Sequence, residues 1–247
     1  MEEALGELFY RRERGMTLTP AGKVLLEYAD RAVRLLKEAE IAVRDMGQVK
    51  GGLSIGSTDS TAAVRLPLVL AHYHQKYPDV EIMLSTATSE KLIIEVLADK
   101  IEGAFVCGEV SHADIEQKLI INEELVIITG NEVELLEGLQ KPNLLVYPSG
   151  CSYRAMLEKW LCQTGISQFK VMELGTMDGI LGCVAAGMGI SLGPRSLITS
   201  SNYEGKVKMH KIAEPFGELS TFFIYRRSAM LTRAAKALIQ VAVDLYS

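Results

Sequence analysis

Nowhere in these 247 residues does an apolar run reach the roughly 20 residues needed to cross a bilayer. The N-terminus opens on Glu2, Glu3 and Glu7 and so lacks the positive segment and apolar stretch of a secretory signal. A membrane partner is therefore not expected, and the expected location is cytoplasmic. The chain has only four cysteines, Cys107, Cys151, Cys162 and Cys183, with no C-x-x-C pair and no metal-ligand spacing to His72, His74, His112 or His210. Reduced thiols are the plain reading, and neither a metal nor a cofactor is implied. An excess of positive charge is also missing. The net charge is −5, which argues against a nucleic-acid surface running over the whole chain. The first 50 residues hold nine Lys+Arg against nine Asp+Glu, so the entire acidic excess lies beyond them.

Catalytic signatures are equally scarce. There is no Ser–His–Asp signature, nucleophile elbow or phosphate loop, and the expectation is that the chain is not an enzyme. Gly187, Gly189 and Gly193 resemble a dinucleotide loop only superficially, because they end a predicted helix and begin a strand, the reverse of the required order. His72 and His74 stand two apart on a predicted helix and face different directions. Tyr153 and Trp160 read as packing residues.

What is present is an ordered alternation of elements. A 48% hydrophobic content is enough for a large core. Residues 1–18 read as the end of a helix at Met1–Leu8, a charged turn Arg11-Arg12-Glu13-Arg14-Gly15, and a short strand at Met16–Leu18, together a small wing. Thr19-Pro20 is a helix start: the hydroxyl caps free N–H groups, and proline at the first position loses no hydrogen bond. Leu25, Ala32, Ala39 and Met46 then recur every seven residues, with Tyr28, Leu35 and Ala42 filling the seam. This 3.5-residue period is that of a coiled-coil stripe and predicts pairing with a second subunit. The segment ends in the glycine-rich boundary Gly47–Gly52.

From Leu53 onward the pattern predicts strands at Leu53–Gly56, Val80–Leu84 and Gly103–Cys107, with helices at Leu66–Tyr77 and Glu90–Asp99 between them. That is a βαβαβ unit with a parallel sheet. A second set follows, with strands at Leu125–Thr129, Leu144–Tyr147, Lys170–Leu174 and Gly189–Leu192 and helices at Ser152–Gln163 and Met177–Ala186. A strand at Thr221–Tyr225 and a helix at Thr232–Tyr246 close the chain. The fold class is α/β: a long N-terminal linker and dimerisation helix, then two subdomains joined by a hinge that the chain crosses twice. The expected boundaries are a wing at 1–18, a linker helix and hinge at 19–50, and a ligand-binding domain at 51–247. Within that domain, lobe I takes about 51–124 and 221–247, and lobe II about 125–220.

Ligands of open parallel α/β sheets sit beyond the carboxyl ends of the strands, where helix N-termini offer unpaired N–H groups. Here those segments are rich in hydroxyls: Ser57, Thr58, Ser60 and Thr61 after the first strand, Ser85, Thr86, Thr88 and Ser89 after the second. Ser149, Cys151, Ser152 and Thr176 take the matching places in the second set. Any one of them reads as a helix cap, whereas their convergence points to a pocket for a small carboxylate or amino acid. Asp59 lies between Thr58 and Ser60; inside the pocket it would repel a carboxylate, so either it points outward, the reading preferred here, or the ligand carries positive charge. Cys151 begins a predicted helix, a setting that can lower a thiol's pKa and make it a redox switch, but a free cysteine behaving as a small hydrophobe is the preferred reading.

The segment Leu5-Gly6, Leu8-Phe9, Arg11, Arg14-Gly15, Leu18-Thr19, Ala21-Gly22 resembles the wing and linker-helix start of the LysR-type transcription regulators. Glu173–Pro194 is similar to that family's second-lobe helix followed by a GxGI strand. Gly51–Ile55, Leu66-Pro67, Tyr77-Pro78-Asp79-Val80 and Ser149–Arg154 also match in order and spacing. Two positions depart from the pattern. Glu7 alone separates the LG and LF pairs, and Ile101-Glu102-Gly103-Ala104 stands where the family has LDLA.

The resemblance implies a periplasmic-binding-protein-like pair of subdomains and a DNA-binding regulator, a homodimer or homotetramer, controlled by a small molecule between the lobes. Carried over residue by residue, it places effector contacts at Ser57, Thr58, Ser60, Thr61, Thr88, Ser89, Ser149, Cys151 and Thr176. It places DNA-backbone contacts at Arg11, Arg12 and Arg14. Family members begin with helices that include the recognition helix of a winged helix-turn-helix, which this sequence is expected to lack, so DNA binding by this chain is expected to be weak or non-specific. The alternatives are a cytosolic small-molecule-binding protein and a degenerate regulator fragment without sequence-specific DNA binding.

Overall fold

The computed structural model describes residues 6–12, 15–44, 49–134, 141–229 and 231–246. The chain divides into two compact units, Met1–Val49 and Lys50–Ser247.

In the first unit, β1 (Phe9–Arg12) and β2 (Gly15–Leu18) pair antiparallel, with Phe9 opposite Leu18 and Arg12 opposite Gly15. Gly6–Leu8 is not helical, and the rest of the helix expected at Met1–Leu8 lies outside the described residues, as does Arg14. Helix α1 (Pro20–Arg44) follows for 25 residues, about 37 Å at 1.5 Å per residue. Its start is built as Thr19-Pro20 predicts. The Thr19 hydroxyl accepts from Gly22 N at 3.0 Å and donates to the Glu7 carbonyl at 2.8 Å, tying helix to hairpin. Gly22 is needed at this junction, because a Cβ there would lie 2.1 Å from the Leu8 carbonyl oxygen. Along the seam Leu25 is half-buried, whereas Tyr28, Ala32, Leu35 and Ala39 are exposed. Met46 lies outside the described residues.

In the second unit, β3 (Gly51–Ser57) has β4 (Val80–Thr86) and β5 (Gly103–Cys107) as parallel neighbours. The connections are α2 (Asp59–Val64), α3 (Leu66–Lys76) and α4 (Ser89–Leu97). Strand β6 (Ile115–Gly130) is next and runs for 16 residues. It is followed by β7 (Asn143–Val146), α5 (Ser152–Gln163), β8 (Lys170–Glu173), α6 (Met177–Ala185), β9 (Ser191–Pro194), α7 (Arg195–Thr199) and β10 (Val207–Lys211). Strand β11 (Glu218–Arg226) and helix α8 (Arg233–Tyr246) end the chain.

Two α/β subdomains result, as expected, but not two separate ladders. Residues Ile115–Glu124 of β6 pair with β11, which pairs in turn with β5. Residues Leu125–Gly130 of the same strand lie between β9 and β10. Hydrogen bonding therefore runs unbroken from β4 to β10 through one long strand. The sequence reading placed a strand only at Leu125–Thr129. The second subdomain is completed by the parallel pair β7–β8, joined to the start of β9 by Leu145 N to the Ile190 carbonyl at 2.9 Å. The chain passes between subdomains twice, outward along β6 and back into β11, which is the double crossing that the sequence suggested.

The burial pattern explains why these runs are strands. All five residues of β5 are buried, as suits an inner parallel strand covered on both faces. Behind it, Leu92, Val96, Val106 and Ile224 form one apolar cluster. The second subdomain has two, Val126, Ile128, Ile180 and Val184 on one face of its sheet and Leu125, Ile127, Leu157 and Leu192 on the other. Alternate residues of β6 thus serve opposite clusters, the period of two that strand geometry dictates.

Candidate functional site

The carboxyl ends of β3, β4, β5 and β7 converge on one cavity of about 180 Å³. Its walls come from α2 (Thr58, Asp59, Ser60), the β4–α4 turn (Thr86 to Ser89), Cys107 at the end of β5, and the segment from Tyr147 to Tyr153, with Gly175. A larger open recess of about 490 Å³ surrounds the 109–117 turn and Arg227. It lies away from those strand ends, and Arg227 is paired there with Glu116 at 3.0 Å. Among the described residues no group of histidine, cysteine or carboxylate side chains is arranged to hold a metal ion.

Of the nine predicted contacts, Thr58, Ser60, Thr88, Ser89 and Cys151 line the cavity. The other four do not. Ser57 is buried and gives its hydroxyl to the Thr58 carbonyl at 3.0 Å. Thr61 is buried behind the wall and accepts from the Thr58 hydroxyl at 2.9 Å. Ser149 is exposed, and Thr176 spends its hydroxyl capping α6, accepting from Gly179 N at 3.2 Å. Position at a strand end was correct for all four, but local hydrogen bonds engage the hydroxyls of Ser57, Thr61 and Thr176, and Ser149 faces outward.

Among the cavity residues that the sequence pattern does not single out are three with polar side-chain tips: Cys107, Tyr147 and Tyr153. Tyr153 reads in the sequence as a packing residue; it is buried, but its hydroxyl reaches Ser60 Oγ at 3.1 Å and Cys107 Sγ at 3.3 Å. Tyr147 follows β7 immediately, and that strand-end place was the signal available. Its hydroxyl donates to Asp59 Oδ2 at 2.5 Å. Asp59 therefore faces the cavity wall and not solvent, which corrects the outward orientation expected of it. Burial pushes both phenols well above the ordinary tyrosine pKa, with the bond to Asp59 adding to the shift at Tyr147. Both stay protonated donors at neutral pH.

These contacts draw the two subdomains together over the cavity. Besides Tyr147–Asp59 and Tyr153–Ser60, the Ser152 hydroxyl donates to the Cys107 carbonyl at 2.6 Å and lies 3.3 Å from Ser89 Oγ. Glu90 N meets the Gly150 carbonyl at 3.4 Å. Gly150 has φ +88°, a backbone conformation in which any side chain would strain the turn, and a Cβ there would also crowd the Glu90 side chain. Thr88 and Cys151 occupy the N-cap positions of α4 and α5, yet neither side chain makes a capping hydrogen bond. Of the first-turn amides, Glu90 N is met by that Gly150 carbonyl, and those of Tyr153 and Arg154 lie by the Cys151 thiol.

Cys151 does not behave as its helix N-terminal place suggested. Burial raises its thiol pKa, and the neighbouring amides of Arg154 and Tyr153 oppose the shift without overcoming it. A reactive thiolate is not what this environment favours.

Comparison with known proteins agrees with this geometry. The family model described as the LysR substrate binding domain matches residues 46–247. The HTH-type transcriptional regulator GltR of Bacillus subtilis (strain 168) is 40% identical over 234 residues, covering 94% of this chain and 79% of that protein. Among solved structures, the regulatory domain of Synechocystis CcmR in complex with 2-PG superposes with a TM-score of 0.72 at 17% identity, covering 80% of this chain and 98% of that one. A full-length OxyR variant from Pseudomonas aeruginosa gives a TM-score of 0.70 at 19% identity, covering 98% of this chain and 86% of that one. These two likenesses establish the fold, and the closer relationship establishes the lineage: the chain belongs to the LysR family of transcription regulators.

Proposed function

We propose that this regulator is controlled by a small organic effector bound in the cavity between its subdomains, held by Thr58, Ser60, Thr88, Ser89 and Cys151. The observation that carries the reading is the cavity itself. Its volume of about 180 Å³ is lined by hydroxyls from both subdomains, so one small ligand would touch both at once. Ligand binding would then favour the arrangement in which those walls are close, by as much as its affinity differs between closed and open forms. The volume lies below the roughly 300–1,000 Å³ of pockets for drug-sized molecules, which suits a metabolite the size of a small carboxylate or amino acid. The CcmR regulatory domain, which shares this fold, holds 2-PG.

The boundaries assigned from the sequence serve this reading, with lobe I at about 51–124 and 221–247 and lobe II at about 125–220. Two or four copies would associate through α1, whose heptad seam is exposed at Tyr28, Ala32, Leu35 and Ala39. Arg11, Arg12 and Arg14 of the hairpin would contact phosphates, which position a protein on DNA without specifying sequence. Alone, this chain would bind DNA weakly and without sequence preference, in the cytoplasm.

A thermal-shift screen against small carboxylates and amino acids tests the proposal. At least one compound should raise Tm, and Ser60→Ala with Ser89→Ala should remove the shift, whereas Thr176→Ala should preserve it. A shift that survives the first two substitutions would place the ligand elsewhere.

A further inference from the structure

Helix α2 is held by the second subdomain at both of its ends. At its start, Asp59 accepts from the Tyr147 hydroxyl at 2.5 Å, and the Ser60 hydroxyl lies 3.1 Å from that of Tyr153. At its end, Val64 packs against the second subdomain's apolar cluster, which includes Leu197 and Ile198 of α7. Arg65 follows as the C-cap, its N–H bonded to the Thr61 carbonyl at 2.9 Å, so it moves with the helix. Its guanidinium grips Glu123, whose Oε2 also accepts from Ser196 of α7 at 2.9 Å. Six positions along the helix separate Asp59 from Arg65, about 9 Å at 1.5 Å per residue.

The two ends would respond differently if the subdomains turned apart. Strand β6 changes partners from β11 to β9 at residues 124–125, so the group of Arg65, Glu123 and Ser196 sits at the crossing and is displaced least. The bond between Asp59 and Tyr147 stands at the rim of the cavity, where Asp59 is half-buried and Pro148 exposed. It is lost once its atoms separate beyond about 3.5 Å. The cross-cavity bonds of Tyr153, Ser152 and Gly150 join neutral groups, whereas Tyr147 donates to a carboxylate. Charge assistance roughly doubles the strength of a hydrogen bond, which makes this the strongest of these holds.

We propose that α2 is a lever between hinge and cavity: the group of Arg65, Glu123 and Ser196 is its pivot and the Asp59–Tyr147 bond its latch, so that this bond sets how often the cavity opens. The inference rests on the effector reading above and adds regulation to it. A ligand enters through the open form, and its apparent affinity scales with the population of the form that binds it. Opening needs no ligand and can be measured without one. Cys107 and Cys151 reach the cavity wall one from each subdomain and serve as reporters.

The test is alkylation of the full chain by iodoacetamide at pH 7.5, well below Tm, with the rates at Cys107 and Cys151 divided by that at exposed Cys162. Tyr147→Phe should raise both rates at least about fivefold, and so should Asp59→Ala. The double variant should show no greater rise than either alone, since all three remove one and the same bond. Asp59→Asn keeps an acceptor without the charge and should give a rise of about threefold; it stands in for either single variant that does not fold. Ser196→Ala should lower Tm yet leave both rates within about twofold of the parent. A rise at Cys151 alone, a rise that multiplies in the double variant, or unchanged rates in the latch variants would overturn the lever. So would a rise with Ser196→Ala equal to that with Tyr147→Phe. Each of these results leaves the effector cavity standing, because the thermal-shift screen tests that reading separately.

Discussion

Arg65, at the junction of α2 and α3, holds Glu123 of β6 with both arms of its guanidinium, Nε to Oε1 at 2.6 Å and Nη2 to Oε2 at 2.7 Å. Glu123 is only 6% exposed, and it sits where β6 passes from one subdomain to the other. Its Oε2 also accepts from Ser196 of α7, in the second subdomain, at 2.9 Å. The Arg65 carbonyl accepts from Tyr246 of α8 at 2.8 Å, and its guanidinium lies 5.6 Å from that ring's centroid. One buried carboxylate is thus shared between the subdomains at their crossing.

Removing the cation leaves Glu123 charged and buried, which is costlier than losing the attraction itself. Arg65→Ala should destabilise the protein by about 3 kcal/mol, the lower end of the range for breaking a buried pair, since Arg65 is partly exposed. In a domain of about 200 residues that corresponds to a fall in Tm of about 6–12 °C. Arg65→Lys keeps the charge but not the two-armed geometry and should cost about 1 kcal/mol. Calorimetry that finds Arg65→Ala within a degree of the parent would remove this residue from any account of the crossing.

A second prediction concerns pH. His210 of β10 lies 2.8 Å from Thr129 Oγ1 through Nε2, and the Thr129 hydroxyl proton is directed to the Gly130 carbonyl at 3.0 Å. Thr129 must then accept from Nε2–H, which leaves Nδ1 unprotonated in the neutral ring. Burial lowers the His210 pKa, and Lys208 lowers it further. The unfolded chain therefore takes up a proton first as pH falls. Stability from this residue is fully present above about pH 6.5 and is lost as pH drops from there toward the lowered folded value. Tm measured from pH 7.5 to 5 should fall less steeply in His210→Gln than in the parent, and parallel curves would refute the assignment.

The four thiols should differ in reactivity. Cys162 is exposed near the end of α5, whereas Cys107 is buried and the Cys151 thiol pKa is raised by burial. Because the thiolate is the nucleophile, iodoacetamide at pH 7.5 should alkylate Cys162 at least about tenfold faster than Cys151. Mass spectrometry of timed digests would show it. Faster labelling at Cys151 would mean that its helix N-terminus outweighs its burial.

How far the sequence carried the description depends on whether side-chain chemistry or long-range pairing sets each feature. Gly103–Cys107 and Ser152–Gln163 were placed with their observed bounds, because four apolar residues after a glycine and an amphipathic run of helical period are local signals. The first half of β6 was missed because Glu116, Gln117, Lys118, Asn122 and Glu123 break its apolar alternation. It is a strand because β11 pairs with it, and Glu123 is tolerated there because Arg65 answers it. Helices α2 and α7 were missed for a related reason: Asp59–Val64 and Arg195–Thr199 are too short to show a helical period. At the site, strand-end position identified the correct segments, while orientation was not legible. Thr176 and Thr88 look alike in sequence, yet one caps its helix and the other faces the cavity.

The last prediction concerns α1. Tyr28 is 65% and Leu35 53% exposed, and both belong to the seven-residue seam with Ala32 and Ala39 between them. Off-seam Val24, Val33 and Leu36 are exposed too, so exposure alone does not select a face. The heptad spacing does, since only residues repeating every 3.5 positions stay on one line along two wound helices. A charge on that line would be buried against its counterpart in a partner, whereas the same charge off the line would remain in water. Tyr28→Glu with Leu35→Glu should therefore shift the mass measured by light scattering toward that of one chain, while Val33→Glu should leave the assembly intact. Dissociation by Val33→Glu alone, with the seam variant still associated, would put the contact on a different face of α1.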